Sequence, residues 1–170
     1  MKCHLPLLVT VCLGALTAVS SAQGTAKATL QNGQGQNIGT AELIQLPNGV
    51  LFKLSVKGIP AGEHAFHVHA VGKCEPPFTT AGGHFNPNNE KHGLAVGKGH
   101  AGDMPNLHVP ANGELTIEIF NSAVTLESGK PNSVFHDGGT ALVIHASKDD
   151  YRSDPAGEAG ARIACGVISR

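Results

Sequence analysis

The chain has 170 residues, 41% of them hydrophobic and 15% charged, and its 22 Gly and 10 Pro stay below the share that marks low-complexity disorder, so one compact domain is the expectation. Twelve Lys and Arg against thirteen Asp and Glu leave a formal charge of −1, which excludes a broad polyanion-binding surface and with it a nucleic-acid function. With no Trp, one Tyr and little charge for a coiled coil, what distinguishes the composition is ten His and four Cys, residue types whose meaning depends on compartment.

Residues 1–22 read as an address. Lys2 precedes an apolar run from Leu5 to Val19, and Ser20-Ser21-Ala22 offers small residues for cleavage, as in a secretory signal peptide. Pro6 interrupts the run, which is shorter than the roughly 20 residues a spanning helix needs, so no membrane anchor is expected. A lipid anchor through Cys12 is the alternative, and the bulk of Val11 before it speaks against that processing. Cleavage after Ala22 leaves a domain of residues 23–170 and takes Cys3, Cys12 and His4 with it. Two cysteines remain, Cys74 and Cys165, and an oxidising compartment would join them. Closing a loop of about ninety residues is worth roughly 4–5 kcal/mol on the chain-entropy account.

Beyond residue 23 the apolar residues alternate with polar ones. Val50, Phe52, Leu54 and Val56 alternate with Leu51, Lys53, Ser55 and Lys57, and Leu115, Ile117 and Ile119 with Glu114, Thr116 and Glu118. Each set lets one face of a strand be buried. Similar short segments run from Lys27 to Gln31, Ile38 to Leu46, Ala65 to Ala70, Ala141 to His145 and Arg162 to Ile168, with turns such as Pro47-Asn48-Gly49 and Ala111-Asn112-Gly113 between some of them. No segment keeps a helical period over three turns. Seven or eight short strands predict an all-β sandwich or flattened barrel.

Two stretches break the alternation. Residues 72–113 are far longer than an ordinary structureless loop, so something other than a hydrophobic core must hold them. They carry Cys74 and the histidines His84, His92, His100 and His108, and metal coordination and a disulfide are the available substitutes. Residues 147–161, rich in Gly and Asp, form the second such stretch. His67 and His69 stand two apart in a strand-like segment, so both leave the same face while Phe66 and Val68 leave the other. Then come His84 in Gly82-Gly83-His84-Phe85-Asn86-Pro87, followed by His92, His100 and Asp103, and finally His145 at the end of Ala141-Leu142-Val143-Ile144.

In joint order and spacing these segments, with Gly160-Ala161-Arg162-Ile163-Ala164-Cys165-Gly166-Val167-Ile168, resemble the copper/zinc superoxide dismutases, in particular the secreted bacterial type. The resemblance covers nearly all of the chain after residue 22. It implies a flattened Greek-key barrel of about eight antiparallel strands with two long functional loops. It also implies one copper ion held by His67, His69, His84 and His145, and one zinc ion held by His84, His92, His100 and Asp103. Four imidazoles suit copper, and three nitrogens with one carboxylate complete a closed zinc site. The implied reaction is dismutation of superoxide to dioxygen and hydrogen peroxide, with His84 as bridging ligand and proton carrier and Arg162 receiving the substrate anion. Asp149 is implied as a carboxylate linking His67 to His92, and a Cys74–Cys165 bridge as the tie between the long loop and the strand of Arg162. The implied location is the bacterial periplasm, and a homodimer is within the family's range.

Two residues depart from the family pattern: Lys73, where a small or acidic residue is usual, and Glu158, where Gly, Asn, His or Asp is usual. Both bear on the field felt by an anion, Lys73 raising attraction and Glu158 lowering it. Lys73, Lys148 and Arg152 are the candidates for local steering. His64 reads as a structural histidine near the barrel end, and His108 and His136 match no ligand position. Two other readings compete. A metal-storage protein on the same fold would have no use for a substrate arginine, and a cupin-type mononuclear enzyme usually has a Glu about four residues after the second His, where this chain has Lys73.

Overall fold

In the computed structural model, which describes Met1 and residues 24–170, the period-two segments become antiparallel strands. The expected signal segment beyond Met1, and its cleavage point, lie outside the described residues. The strands are β1 (Thr25–Asn32), β2 (Asn37–Leu46), β3 (Gly49–Lys57), β4 (Gly62–His64), β5 (Phe66–His69), β6 (Leu107–Val109), β7 (Glu114–Asn121), β8 (Ala141–His145) and β9 (Arg162–Val167). Among the described residues the helical content is one 3-10 turn at Thr79–Ala81.

Seven strands form one curled sheet in the order β5-β8-β9-β1-β2-β3-β7, and β4 pairs with β6 in a small second sheet. β1 to β3 are joined by short turns, but β7 returns to pair with β3 only after the chain has crossed through β4, β5 and the long loop. β8 then inserts between β5 and β9. These long crossings give the Greek-key arrangement and place both irregular loops over the outer face of β5.

The alternation read from the sequence is the alternation of burial. Val50, Phe52, Leu54 and Val56 are buried, with Phe66, Val68, Leu142 and Ile144 in the same core, while Lys53, Ser55 and Lys57 are exposed. Of the aliphatic residues on β7 Ile119 is buried, while Leu115 and Ile117 are half-buried, because β7 ends the sheet and has a neighbour on one side. Charges on the outer face pair across strands, Lys53 with Glu118 at 3.3 Å. A second, small core lies under the first loop: Phe78 and Ala81 pack on Ala141, Val143 and Cys165, with Cys74 against them. Cys74 and Cys165 are disulfide-bonded across 91 residues of sequence.

The fold adds two strands to the sequence reading. β4 and β6 have three residues each, too short for a period to register, and β6 falls inside the stretch read as irregular. Their pairing of Glu63 with His108 lies next to β5 in the chain and anchors the far end of the long loop.

Candidate metal centre

β5 is the base of the site. His67 and His69 point away from the core, yet both are fully buried because the two long loops cover them. The loops are stitched to the strand through backbone: Val68 N–H donates to Gly102 O at 2.9 Å and Phe85 N–H to Val68 O at 2.8 Å. Gly102 is required there, since a Cβ on it would overlap the Val68 carbonyl and lie 3.0 Å from Phe85 N. His145 arrives at the end of β8, facing Arg162 at the start of β9.

Six histidines and two aspartates converge. Ligand-type atoms of His67, His69, His84 and His145 lie within 4.8 Å of one another, and so do those of His67, His84, His92 and Asp103. The second group contains His67 where the sequence resemblance implies His100. His100 stands beside it, its Nδ1 3.4 Å from Asp103 Oδ1. His67 belongs to both groups, and its Nε2 is hydrogen-bonded to Asp149 Oδ2 at 2.9 Å. His84 is the ring common to the whole cluster: its centroid is 3.9 Å from that of His67, 5.0 Å from His69, 5.1 Å from His92, 5.4 Å from His100 and 6.2 Å from His145.

The hydrogen bonds decide which nitrogens carry lone pairs. His69 Nδ1 donates to Gly82 O at 2.9 Å and His145 Nδ1 to Gly160 O at 3.3 Å, so both Nε2 atoms are bare. Those two atoms face each other at 3.3 Å, an arrangement that repels unless a cation sits between the lone pairs. His67, with its Nε2 proton given to Asp149, presents a bare Nδ1, and that buried atom has no partner. The same is true of His84 Nε2, whose Nδ1 bonds Asp103 Oδ1 at 2.9 Å. His92 Nδ1 and His100 Nδ1 are also buried without partners, although His92 Nε2 donates to Asp149 Oδ2 at 3.1 Å. Buried polar atoms in native proteins are almost always satisfied, so a set of orphaned, convergent imidazole nitrogens fits two metal cations.

The electrostatics agree. Burial, reinforced by neighbouring His84, drives the His69 pKa down to about 2 and that of His67 well below the usual range. Burial likewise lowers His145 to about 4 and lowers His100. The lowered values favour the neutral rings, so a cation meets weaker competition from protons. Burial alone would raise Asp103, but hydrogen bonds from His84 and from the N–H groups of Gly93 and His100 outweigh it and hold the carboxyl well below its usual range. Burial raises Asp149, against the opposing hydrogen bond from Tyr151 N–H.

Asp149 Oδ2 lies 2.9 Å from His67 Nε2 and 3.1 Å from His92 Nε2, and the structure adds supports that the sequence reading missed. Asn106 grips its backbone, Nδ2 donating to Asp149 O at 2.9 Å and Oδ1 accepting from Asp149 N–H at 2.8 Å. Tyr151 Oη accepts Asn106 N–H at 2.6 Å, and Gly157, at φ 66°, leaves the room that Asp149 and His92 occupy. Nothing in the local pattern marked them, except that Gly157 is one of the glycines in a loop already singled out.

Arg162 is half-buried and locked. Nη1 donates to Phe78 O and Nη2 to Gly82 O, each at 2.6 Å, and burial lowers its pKa from a value so high that it stays charged. Gly82 O thus receives both His69 and Arg162. An open cleft of about 420 Å³ exposes Arg162 beside His69, His84 and His145. Lys73, Lys148, Arg152 and Glu158 are exposed and none lines this cleft, and Lys148 is paired with Glu63 at 3.5 Å. The acidic groups at its rim are Glu90 and Asp154. His64 is buried with Pro60 O and His145 O each 2.8 Å from a ring nitrogen, a structural role as expected. His108 is exposed near Glu63, and His136 stacks on Phe85.

Residues 37–168 match the family described as copper/zinc superoxide dismutase (SODC). The chain is 56% identical over 144 residues to superoxide dismutase (Cu-Zn) 1 of Aquifex aeolicus, covering 83% of this chain and 85% of that protein. It is 40% identical over 149 residues to the superoxide dismutase (Cu-Zn) of Caulobacter vibrioides, covering 85% of each. Among solved structures, a SOD-like protein from Bacillus subtilis superposes with a TM-score of 0.81 at 35% identity, covering 86% of this chain and 99% of that one.

Proposed function

Because the chain belongs to the copper/zinc superoxide dismutase family, an oxidoreductase family using one copper and one zinc, we propose that His67, His69, His84 and His145 hold the copper and His84, His92, His100 and Asp103 the zinc. Superoxide is the substrate, and two superoxide anions with two protons become one dioxygen and one hydrogen peroxide. The observation that carries the ligand assignment is the set of bare, convergent nitrogens on His67, His69, His84 and His145. Copper supplies the one-electron couple, and all-imidazole ligation is compatible with both of its oxidation states.

The rest is performed by the chain. Arg162 has five N–H donors and spends two on Phe78 O and Gly82 O, leaving others toward the cleft for a diatomic anion. His69 shares the Gly82 carbonyl, so the copper side and the anion side are set by one backbone atom. His84 is the group that can hold a proton at Nε2, the nitrogen facing His67, His69 and His145, while Nδ1 stays turned to Asp103. Asp149 fixes the tautomers of His67 and His92 at once. The disulfide ties Cys74, in the loop that supplies Phe78 O and Gly82 O, to Cys165, three residues after Arg162.

Residues 1–22 we read as a signal peptide cleaved after Ala22, with residues 23–170 exported to the bacterial periplasm. The disulfide and the bacterial relatives are consistent with an extracytoplasmic location. The test is metal analysis of residues 23–170 with a superoxide-decay assay. One copper and one zinc per chain with rapid decay is the expected result. A single non-copper metal, or full loading without activity, overturns the assignment, the latter in favour of metal storage.

A further inference from the structure

Two carboxylates of the 146–161 loop reach the zinc-side histidines, and the first, Asp149, bonds His92 Nε2. The second is Asp154. Its Oδ1 accepts the backbone N–H of His92 at 2.9 Å and lies 3.9 Å from Nε2 of His100. His100 Nδ1 is buried, without a hydrogen-bond partner, and 3.4 Å from Asp103 Oδ1. A ring that offers Nδ1 to a metal carries its proton on Nε2, and Asp154 is the one carboxylate within 4.0 Å of that nitrogen among the described residues.

The segment between those two histidines needs such a hold. Leu94 and Val96 are exposed, so residues 92–100 have no core of their own. The segment is closed at its base by carboxylates instead. On the inner side Asp103 Oδ2 accepts the N–H groups of Gly93 at 3.0 Å and His100 at 2.9 Å. On the outer side Asp154, half-exposed at the cleft rim, holds His92 and faces His100.

We propose that Asp154 is a positioning residue for the zinc site, holding the main chain of His92 and orienting the ring of His100 from a loop that supplies no zinc ligand. The inference rests on the assignment of zinc to His84, His92, His100 and Asp103. Asp154→Asn keeps an oxygen for the His92 N–H but removes the charge opposite His100, and Asp154→Ala removes both.

The experiment uses the copper- and zinc-loaded protein and measures transfer of zinc to a chromophoric chelator. It also records the visible spectrum with cobalt in the zinc position and the melting temperature of the metal-free chain. Zinc transfer about 10-fold faster in Asp154→Ala and about 3-fold faster in Asp154→Asn is expected, at the low end for an outer partner of a metal ligand because the carboxylate is half-exposed. Altered cobalt bands should accompany it in both variants, with an unchanged metal-free melting temperature in Asp154→Asn, which keeps an acceptor for the His92 N–H. Transfer within two-fold of the original in the alanine variant overturns the inference. So does faster transfer with unchanged cobalt bands and a matching fall in metal-free stability, which is a merely structural effect. An unsubstituted protein that binds copper but no zinc overturns the zinc assignment itself, and the inference with it.

Discussion

Alanine at position 157 tests how tightly the Asp149 bridge is confined. Gly157 has φ 66°, and a Cβ there would overlap Asp149 Oδ1 and stand 2.6 Å from Asp149 Cγ and 2.8 Å from His92 Cε1. The left-handed backbone costs an alanine about 1–2 kcal/mol. Relief of the overlap requires the carboxylate to move, and Asp149 Oδ2 then loses the hydrogen bond from His67 Nε2 at 2.9 Å or that from His92 Nε2 at 3.1 Å. A hydrogen bond to a charged group contributes about 1.5–3 kcal/mol, so the total is about 3–5 kcal/mol. For a domain of this size that lowers the melting temperature by roughly 10–15 °C. Gly129→Ala is the control, since Gly129 has φ 77° and a Cβ there would meet nothing within 4 Å, leaving backbone strain alone. Scanning calorimetry of both variants, with and without metals, measures the difference. A Gly157→Ala protein that melts within about 3 °C of the Gly129→Ala control and retains both metals would refute the reasoning, because Asp149 would then have room to spare.

Three further outcomes follow from the same geometry. Arg162→Ala should retain both metals, since Arg162 is not among the convergent donors, and lose about 10- to 100-fold in superoxide decay, the worth of one charge-assisted hydrogen bond; an unchanged rate would remove Arg162 from the reaction. Reduction of Cys74–Cys165, which closes 91 residues, should destabilise the chain by about 4–5 kcal/mol in denaturant titrations, and an unchanged midpoint would contradict a constraining role. The metal-free protein should lose stability on acidification. Burial puts His145 at about 4 and His69 at about 2, so below an unfolded value of about 6.5 the unfolded chain binds protons that the native chain refuses. Stability should therefore fall as pH drops from about 6.5 toward 4, by at most about 2–3 kcal/mol per pH unit from these two rings, and a flat urea midpoint across that window would contradict it.

The fold was legible where the signal was local. Val50, Phe52, Leu54 and Val56 declare a buried face because side chains alternate across a strand, whatever lies opposite. β4 and β6 were not legible, since three residues cannot show a period and their pairing of residue 63 with residue 108 is a long-range event. The half-burial of Leu115 and Ile117 was equally hidden: the alternation fixes which way they point, and the edge position of β7 fixes how well they are covered.

The histidines divide in the same way. Residue types and spacing by themselves marked the candidates: a His-x-His strand, a histidine- and aspartate-bearing loop that needs metal coordination or a disulfide in place of a core, and two cysteines available for one bridge; the copper and zinc ligand sets came from the family resemblance. Tertiary structure alone decided which atoms are bare. His69 Nε2 is a lone pair because Gly82 O takes the proton on Nδ1, and His67 Nδ1 because Asp149, 82 positions along the chain, takes the proton on Nε2. Gly157 matters through the space it leaves empty, and Asn106 and Asp154 through contacts with distant backbone, and no local pattern records that. Sequence periodicity reports the face a side chain leaves from. Only the crossings that lay both loops over β5 determine what it meets there.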